Sequence, residues 1–332
     1  MPNSSTVTTF LLLGFSDTWE QNVLYFILLL VIYLAALTAN LLIISAVSLD
    51  QQLHTPMYFF LVNLSVVDLG SISVTIPNAM INSLLNTWEI SYSGCVAQVY
   101  SLFFFLISDL FLLTGMAYDR YVAICDPLHY EAVMDRKVCI KMATSAWVAG
   151  LLYSGIHTSS TFAITFCSNV INQFFCEIPQ LLKVSCDSMY LIEFGVLVFS
   201  TLIALSCFGF IIVSYVHIFK SVLRIPTTQG RNKAFSTCVP HLIVVSLFIS
   251  TGSFAYLKPN AQSPSDLDLV FAVLYSVVPP LMNPIIYTMR NRDIKAALWK
   301  MLQCGIFPGR KARFPLINLV PKHNLSKKKE FS

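Results

Sequence analysis

Long apolar stretches alternate with short polar connections along this chain. Seven stretches, about 24–49, 57–80, 95–118, 142–166, 190–219, 234–257 and 267–289, reach the roughly 20 residues a helix needs to cross a bilayer core. None has the alternating ten-residue pattern of a membrane barrel. Backbone groups in lipid must be paired within the segment, so each stretch is predicted to be helical. The expected fold is an all-α membrane protein, a seven-transmembrane helix bundle over 24–289. A short amphipathic juxtamembrane helix is expected at 290–304, with Ile294, Leu298, Met301 and Leu302 on one face and Lys295 and Lys300 able to lay their stems along it. Residues 1–23 form a short tail, and residues 305–332 a second tail expected to be disordered.

Composition sharpens this reading. Of 332 residues, 56% are hydrophobic and only 11% charged, against about 25% charged in a soluble domain. Most of the surface must therefore face something other than water. The net charge of +4 is small and argues against nucleic acid as a partner, which calls for clustered basic faces on a soluble domain. Charge placement sets the orientation. Under the seven-span reading the 1–23 tail and the 81–94 loop carry no Lys or Arg, and the other connections on that side carry only Lys183 and Lys258. The remaining nineteen of the 21 basic residues lie on the opposite side. This asymmetry places the N-terminus outside and the C-terminus in the cytoplasm. The first 21 residues contain no basic residue and no clear cleavage site, so the first span is expected to insert as a start-transfer helix.

The cysteines follow the same division. Cys95, Cys167, Cys176 and Cys186 fall on the oxidising side, where disulfides persist, and four cysteines allow three pairings. Cys125, Cys139, Cys207, Cys238 and Cys304 fall in membrane or cytoplasm and are expected to be free thiols. Asn3-Ser4-Ser5 is a glycosylation sequon on the outer side, whereas those at Asn63 and Asn324 lie within a span and in the cytoplasmic tail.

Charge inside a span is costly and marks function. Asp68 and Asp109 are the two mid-span acids, on consecutive helices, with no intramembrane Lys or Arg to pair with them. Two such carboxylates must share a proton or bind a cation, because like charges at short range cannot both ionise. A monovalent-ion or proton site is expected there, with a sodium ion as the candidate occupant and no other cofactor. Asn40 and Asn283 can complete a polar cluster. Pro279, Pro280 and Pro284 strip donors from the last span and leave carbonyls open beside Asn283. No Ser-His-Asp, metal-ligand or phosphate-loop spacing occurs, so the chain does not read as an enzyme. His157, His217 and His241 are isolated on different helices and read as satisfied core or interface residues. A secondary transporter is the rival reading for buried acids and broken helices, but no internal repeat is present.

Several motifs carry a resemblance. They are LHTPMYFFL at 53–61, NLSVVD at 63–68, MAYDRYVAICDPLHY at 116–130, SY at 214–215, KAFSTC followed by HL within 233–242, and NPIIY at 283–287. With the three-cysteine loop 167–186, they make the chain resemble the olfactory receptors, within the rhodopsin-like G-protein-coupled receptors, over about residues 5–305. The resemblance implies a multi-pass plasma-membrane receptor for small, weakly polar volatile odorants. Its partners would be the lipid bilayer and a heterotrimeric G protein of the stimulatory, olfactory type that raises cAMP. A rhodopsin-like receptor for another small molecule is the alternative. The resemblance also implies Cys95–Cys176 and Cys167–Cys186 as the disulfide pairs.

By the same resemblance, ligand contacts fall on Phe103, Leu106, Ile107, His157, Phe199, Ser200, Ile203, Gly252, Tyr256 and Ser276. Activation and coupling fall on Asp119, Arg120, Tyr121, Tyr215, Asn283, Pro284 and Tyr287, with Asp119 holding Arg120 at rest and Tyr215 and Tyr287 filling the gap when the helices part. The chain departs from the family pattern at Phe248-Ile249-Ser250, where Phe-Tyr-Gly is usual, at Pro240 in place of Ser, and at Ala39 in place of Gly. The orientation is checked with epitope tags: an N-terminal tag should stain on intact cells, and a C-terminal tag only after permeabilisation.

Overall fold

In the computed structural model the chain is described at residues 7–16, 18–186, 190–256 and 266–306, with 190–194, 233, 251–256, 266–272, 290 and 302–306 described by backbone alone. Elements run in the order β1 (Thr9–Leu12), α1 (Trp19–Leu49), a 3-10 turn (Gln51–Leu53), α2 (Pro56–Leu85), β2 (Glu89–Ser91), α3 (Tyr92–Cys125) and α4 (Tyr130–Val133). They continue with α5 (Arg136–Phe162), β3 (Val170–Ile171), α6 (Ile178–Lys183), α7 (Tyr190–Leu223), α8 (Thr228–Tyr256), α9 (Asp266–Arg290) and α10 (Arg292–Ile306).

Each of the seven apolar stretches becomes a long helix, and most run past the predicted ends. α3 continues from the expected stop at 118 to Cys125, and α1 starts at Trp19 instead of 24. The backbone ladder does not need an apolar side chain, so a helix can outrun its lipid-facing stretch. Local signals set the true ends. Pro56 opens α2 at its first turn, where a missing amide costs nothing, and Asn86 closes it in the left-handed region at φ 52°. Ser91 accepts the Gly94 amide at the start of α3, and Asp135 accepts the Val138 amide at the start of α5. α5 stops at Phe162, short of 166, because Phe166 turns away to bridge Ser185.

Among the described residues, five helices are long and apolar enough to cross a membrane: α1, α2, α3, 195–223 of α7 and 228–250 of α8. α9 contributes a shorter apolar stretch, Val273–Met289. α5 falls short in composition, since His157, Thr158, Ser159, Ser160 and Thr161 crowd its end. The bundle presents apolar side chains outward: Leu24, Leu28, Val31 and Leu34 on α1, and Leu202, Leu205, Ile212 and Val213 on α7, are all exposed. An apolar surface on this scale is the mark of a lipid-facing wall. Inside, α3 and α5 approach closely at Gly150, where an added Cβ would lie 2.8 Å from the Phe104 carbonyl oxygen and nearer still to Ser108 Oγ.

One part of the all-α expectation is corrected. The N-terminal tail supplies β1, which lies between β2 and β3 in a three-stranded sheet of order β2-β1-β3. β1 runs antiparallel to β2, with Phe10 opposite Ile90, and parallel to β3, with Leu12 beside Ile171. Alternation drives the pairing: Phe10 and Leu12 point inward while Leu11 is exposed. Phe10 is 0% exposed and its ring meets those of Tyr92 and Phe166.

Disulfides Cys95–Cys176 and Cys167–Cys186 hold this end, with Cα–Cα distances of 5.5 and 5.2 Å. Cys125, Cys139, Cys207 and Cys238 are free. Asn3 and Cys304 lie outside the described residues or side chains. Replacing Phe10 by Ala should cost about 3–5 kcal/mol in the cap, read as a lower melting temperature of the detergent-purified protein and less receptor at the cell surface.

Candidate functional site

The site is built from three layers along the bundle axis. In the middle, Asp68 on α2 accepts from Asn283 Nδ2 on α9 through both oxygens, each at 3.1 Å. Pro284 has no amide to give the carbonyl of Pro280, four residues earlier. Asn40 on α1 fills that vacancy, donating from Nδ2 to Pro280 O at 2.9 Å and to Ala36 O at 3.0 Å. The expected polar cluster exists, then, but Asn40 serves a carbonyl instead of the acids. Asp109 on α3 is 6% exposed, and its Oδ1 has no hydrogen-bond partner.

Above this layer, toward the disulfides, lies a cavity of about 60 Å³. Leu102, Phe103, Leu106 and Phe248 make its apolar wall, Asp68 and Asp109 reach it from below, and Cys176 and Glu177 roof it. The roof is fixed from two directions. The Cys176 amide donates to Gln98 Oε1 at 2.8 Å, beside the bond that ties Cys176 to Cys95 on α3. Glu177 accepts from Tyr275 Oη on α9 at 2.6 Å and from Gln173 Nε2 at 3.4 Å. Burial pushes the Glu177 carboxyl above the ordinary carboxylate value, although the bonds from Tyr275, Gln173 and Gln180 and the charge of Lys183 pull the other way.

At the opposite end a cleft of about 570 Å³ opens between α2, α3, α8, α9 and α10, lined among others by Met116, Arg120, Ser236, Thr237, Pro240 and Tyr287. Arg120 is 2% exposed. Its partners correct the sequence expectation. Nε donates to Thr237 O on α8 at 3.0 Å and Nη1 to Met116 O on α3 at 3.3 Å, and no ion pair joins it to Asp119. Asp119 instead accepts from Tyr130 Oη at 2.8 Å. Direction contributes: adjacent residues on a helix point about 100° apart, and here Asp119 turns to Tyr130 while Arg120 turns to α8. Thr237 sits in the turn that Pro240 disturbs, since Pro240 has no amide for the Ser236 carbonyl. Tyr215 Oη lies 2.8 Å from His241 Nδ1, and His241 Nε2 lies 3.0 Å from Leu113 O. His241 is thus a bonded core residue that bridges α7, α8 and α3.

α10 docks onto this end. Tyr58 Oη on α2 meets Asn291 Oδ1 at 3.2 Å and Asp293 Oδ2 at 3.1 Å. Lys300 Nζ donates to Asp50 Oδ2 at 2.8 Å. Partial burial pushes the Asp50 carboxyl up, but bonds from Lys300 and the Gln52 amide outweigh it and hold the group below its ordinary value.

The expected ligand residues separate into groups. Phe103, Leu106 and Ser276 line the upper cavity, and Ile107 is buried next to it in sequence without lining it. His157 Nε2 lies 2.7 Å from Ser200 Oγ, its ring stacks on Phe103 at 4.5 Å, and neither His157 nor Ser200 reaches the cavity. Ile203 is half-buried on α7. Phe199 is a correction: it is 57% exposed on the outer face of α7, its ring parallel to that of Tyr153. The side chains of Gly252 and Tyr256 lie outside those described. Tyr121 is half-buried beside His217. Glu177, Tyr275 and Tyr130 were not singled out from the sequence. The available signals were an acid directly after a tethered cysteine and a tyrosine closing the 116–130 motif.

The chain is similar to known proteins along most of its length. The family model described as "Olfactory receptor" matches residues 29–304. Human olfactory receptor 14C36 is 49% identical over 304 residues, 91% of this chain and 97% of the relative. Human olfactory receptor 14I1 is 52% identical over 303 residues, 91% of this chain and 97% of the relative. Gorilla olfactory receptor 1G1 is 42% identical over 301 residues, 90% of this chain and 96% of the relative.

Replacing Asn40 by Ala leaves the Pro280 carbonyl unpartnered in a buried layer, at a cost of about 1–3 kcal/mol. The variant should melt earlier than the parent in detergent, while Ala39→Gly, which removes no bond, should shift the transition far less.

Proposed function

Since the chain belongs to the olfactory receptor family, a family of multi-pass plasma-membrane G-protein-coupled receptors and not of enzymes, we propose that it detects small volatile molecules in the cavity beneath its disulfide-held cap and answers by activating a stimulatory G protein that raises cAMP. The reading takes all seven long helices as spans, with the cap outside and the 570 Å³ cleft in the cytoplasm, α10 lying on the inner leaflet, and Asn3 carrying a glycan.

The observation that carries the reading is the state of Arg120. It is a permanent cation with five donors, buried at the head of the cleft and held by carbonyls of α3 and α8 instead of by a countercharge. Carbonyl bonds between two helices break when the helices part. Outward movement of α8 would detach Thr237 O from Arg120 and present the guanidinium to a G-protein segment entering the cleft. Tyr215, now paired with His241, and Tyr287, lining the same cleft, are placed to meet Arg120 once α8 has gone. α9 connects the two ends: Tyr275 and Ser276 line the upper cavity, Asn283 binds Asp68, and Tyr287 faces the cleft. A ligand that moves Tyr275 therefore acts on an element that reaches Arg120.

A monovalent cation, sodium being the natural occupant, fits the middle layer. Asp109 Oδ1 is a buried oxygen without a donor, and both Asp68 and Asp109 line the same space. These two carboxylates would hold it, and its charge would let both stay ionised.

The test is a cAMP reporter in cells, with surface receptor measured in parallel, against a panel of volatiles. At least one volatile should give a saturable response, and Arg120→Ala should abolish it at equal surface level. A panel without any response, from receptor shown at the surface, would overturn the reading. Pro240→Ser returns an amide to the Ser236 carbonyl and regularises the turn that holds Thr237. It should weaken the Arg120 contact and raise agonist-free cAMP severalfold.

A further inference from the structure

The upper cavity has an unusual charge content for a site read as taking apolar odorants. Among the described residues its lining includes three carboxyl groups, Asp68, Asp109 and Glu177, and no Lys, Arg or His. An anionic ligand would add a further negative charge to a low-dielectric space, which is costly. A neutral ligand would leave Glu177 without a countercharge in the cavity, and Asp68 and Asp109 as well wherever sodium does not occupy their layer. A cation is the ligand that repairs the imbalance.

Geometry separates the three acids. Both oxygens of Asp68 are engaged by Asn283. Asp109, 94% buried on the exposure of 6%, offers Oδ1 with no donor bound. Glu177 is held by neutral donors, Tyr275 Oη and Gln173 Nε2, which aim the carboxyl without neutralising it, while the charge of Lys183 acts on it without a hydrogen bond. A carboxylate accepts about four hydrogen bonds, so an ammonium can still be seated. The walls suit the rest of such a molecule. Phe103, Phe105, Phe248 and Tyr275 present aromatic rings, whose faces attract a cation, and Leu102 and Leu106 supply an aliphatic surface. At about 60 Å³ the space is small. It takes an ammonium group and a short carbon chain, not a bulky ring system.

Resting on the odorant reading above, we propose that the cavity under the Cys95–Cys176 bond selects small organic ammonium ions, that is short aliphatic amines in their protonated form, with Glu177 as the counter-charge at the roof and Asp109 as the second carboxylate at the floor. The amine nitrogen donates to Glu177, its hydrocarbon lies along Leu102, Leu106 and Phe248, and Asp109 sets the field that favours the cation over an uncharged isostere. The alcohol of the same shape can donate one hydrogen bond but brings no charge. The matching carboxylic acid brings the wrong sign.

The experiment uses the full receptor in the cAMP reporter assay, with isobutylamine, isobutanol and isobutyric acid as isosteric probes at neutral pH beside the volatile panel. Isobutylamine should act at a concentration at least about tenfold lower than isobutanol, and isobutyric acid should be silent. Glu177→Gln keeps the size of the side chain and its bond from Tyr275. It should raise the half-maximal amine concentration about tenfold at equal surface level, a larger shift than for any neutral panel volatile. Asp109→Asn should weaken the amine in the same direction. Thermal shift of the purified parent provides a second readout: isobutylamine should raise its melting temperature in buffer with sodium replaced by N-methylglucamine, which distinguishes the organic cation from sodium. A response to isobutanol equal to that of the amine overturns the proposal, as does an amine curve unmoved by Glu177→Gln. Responses to neutral volatiles without any to amines defeat this proposal alone, whereas silence to every probe defeats the odorant reading on which it rests.

Discussion

A backbone carbonyl that loses its helical partner inside a membrane bundle must find another donor from a neighbouring helix, because lipid offers none. That constraint organises this molecule. Pro284 deprives the Pro280 carbonyl, and Asn40 on α1 supplies the missing donor at 2.9 Å. One proline thus fastens α1 to α9. Pro240 opens the first half of α8, and in that turn the Thr237 carbonyl receives Arg120 from α3. The first bond closes a gap that a proline made, the second falls in a turn that a proline disturbs, and each joins two helices that could otherwise slide.

Such bonds differ from apolar packing in what they do under strain. An apolar contact weakens gradually, whereas a buried donor that loses its acceptor pays the whole desolvation cost at once. Arg120 shows the sharpest case, since a guanidinium cannot shed its charge. It must keep partners in every state, so movement of α8 becomes an exchange of partners instead of a loss. The same holds at Tyr215, whose hydroxyl is occupied by His241 until α7 and α8 shift. α9 carries these layers together, from Tyr275 at the roof through Asn283 to Tyr287 at the cleft. The cap, by contrast, is built to stay still: two disulfides, a strand inserted between two others, and a fully buried Phe10 leave it little freedom.

Much of the candidate site could be read from the chain, because burying charge in lipid is rare enough to stand out. Asp68, Asp109 and Asn283 announce themselves by polarity within apolar runs, and the structure brings Asp68 and Asn283 into direct contact. Residues that take their role from a distant partner were harder to see. Glu177 and Tyr275 are 98 positions apart and ordinary in their own surroundings. The family resemblance made Phe199 a pocket residue, but the rotation of α7 turns it outward. The resemblance implied that Asp119 holds Arg120, yet Asp119 turns to Tyr130 and Arg120 to Thr237.

Hydrophobic periodicity and length determined where the helices lie, because a segment that cannot hydrate its backbone has helix as its one local solution. The asymmetry of basic residues fixed the expected orientation for a similarly local reason: moving each charge across the bilayer is costly wherever the rest of the chain sits. Tertiary structure decided the rest. The strand formed by Thr9–Leu12 exists only where Glu89–Ser91 and Val170–Ile171 flank it. The partners of Arg120, the roof over the upper cavity and the outward turn of Phe199 all depend on how one helix is rotated against the next. That rotation is set by the packing of many side chains at once, and no single stretch of sequence contains it.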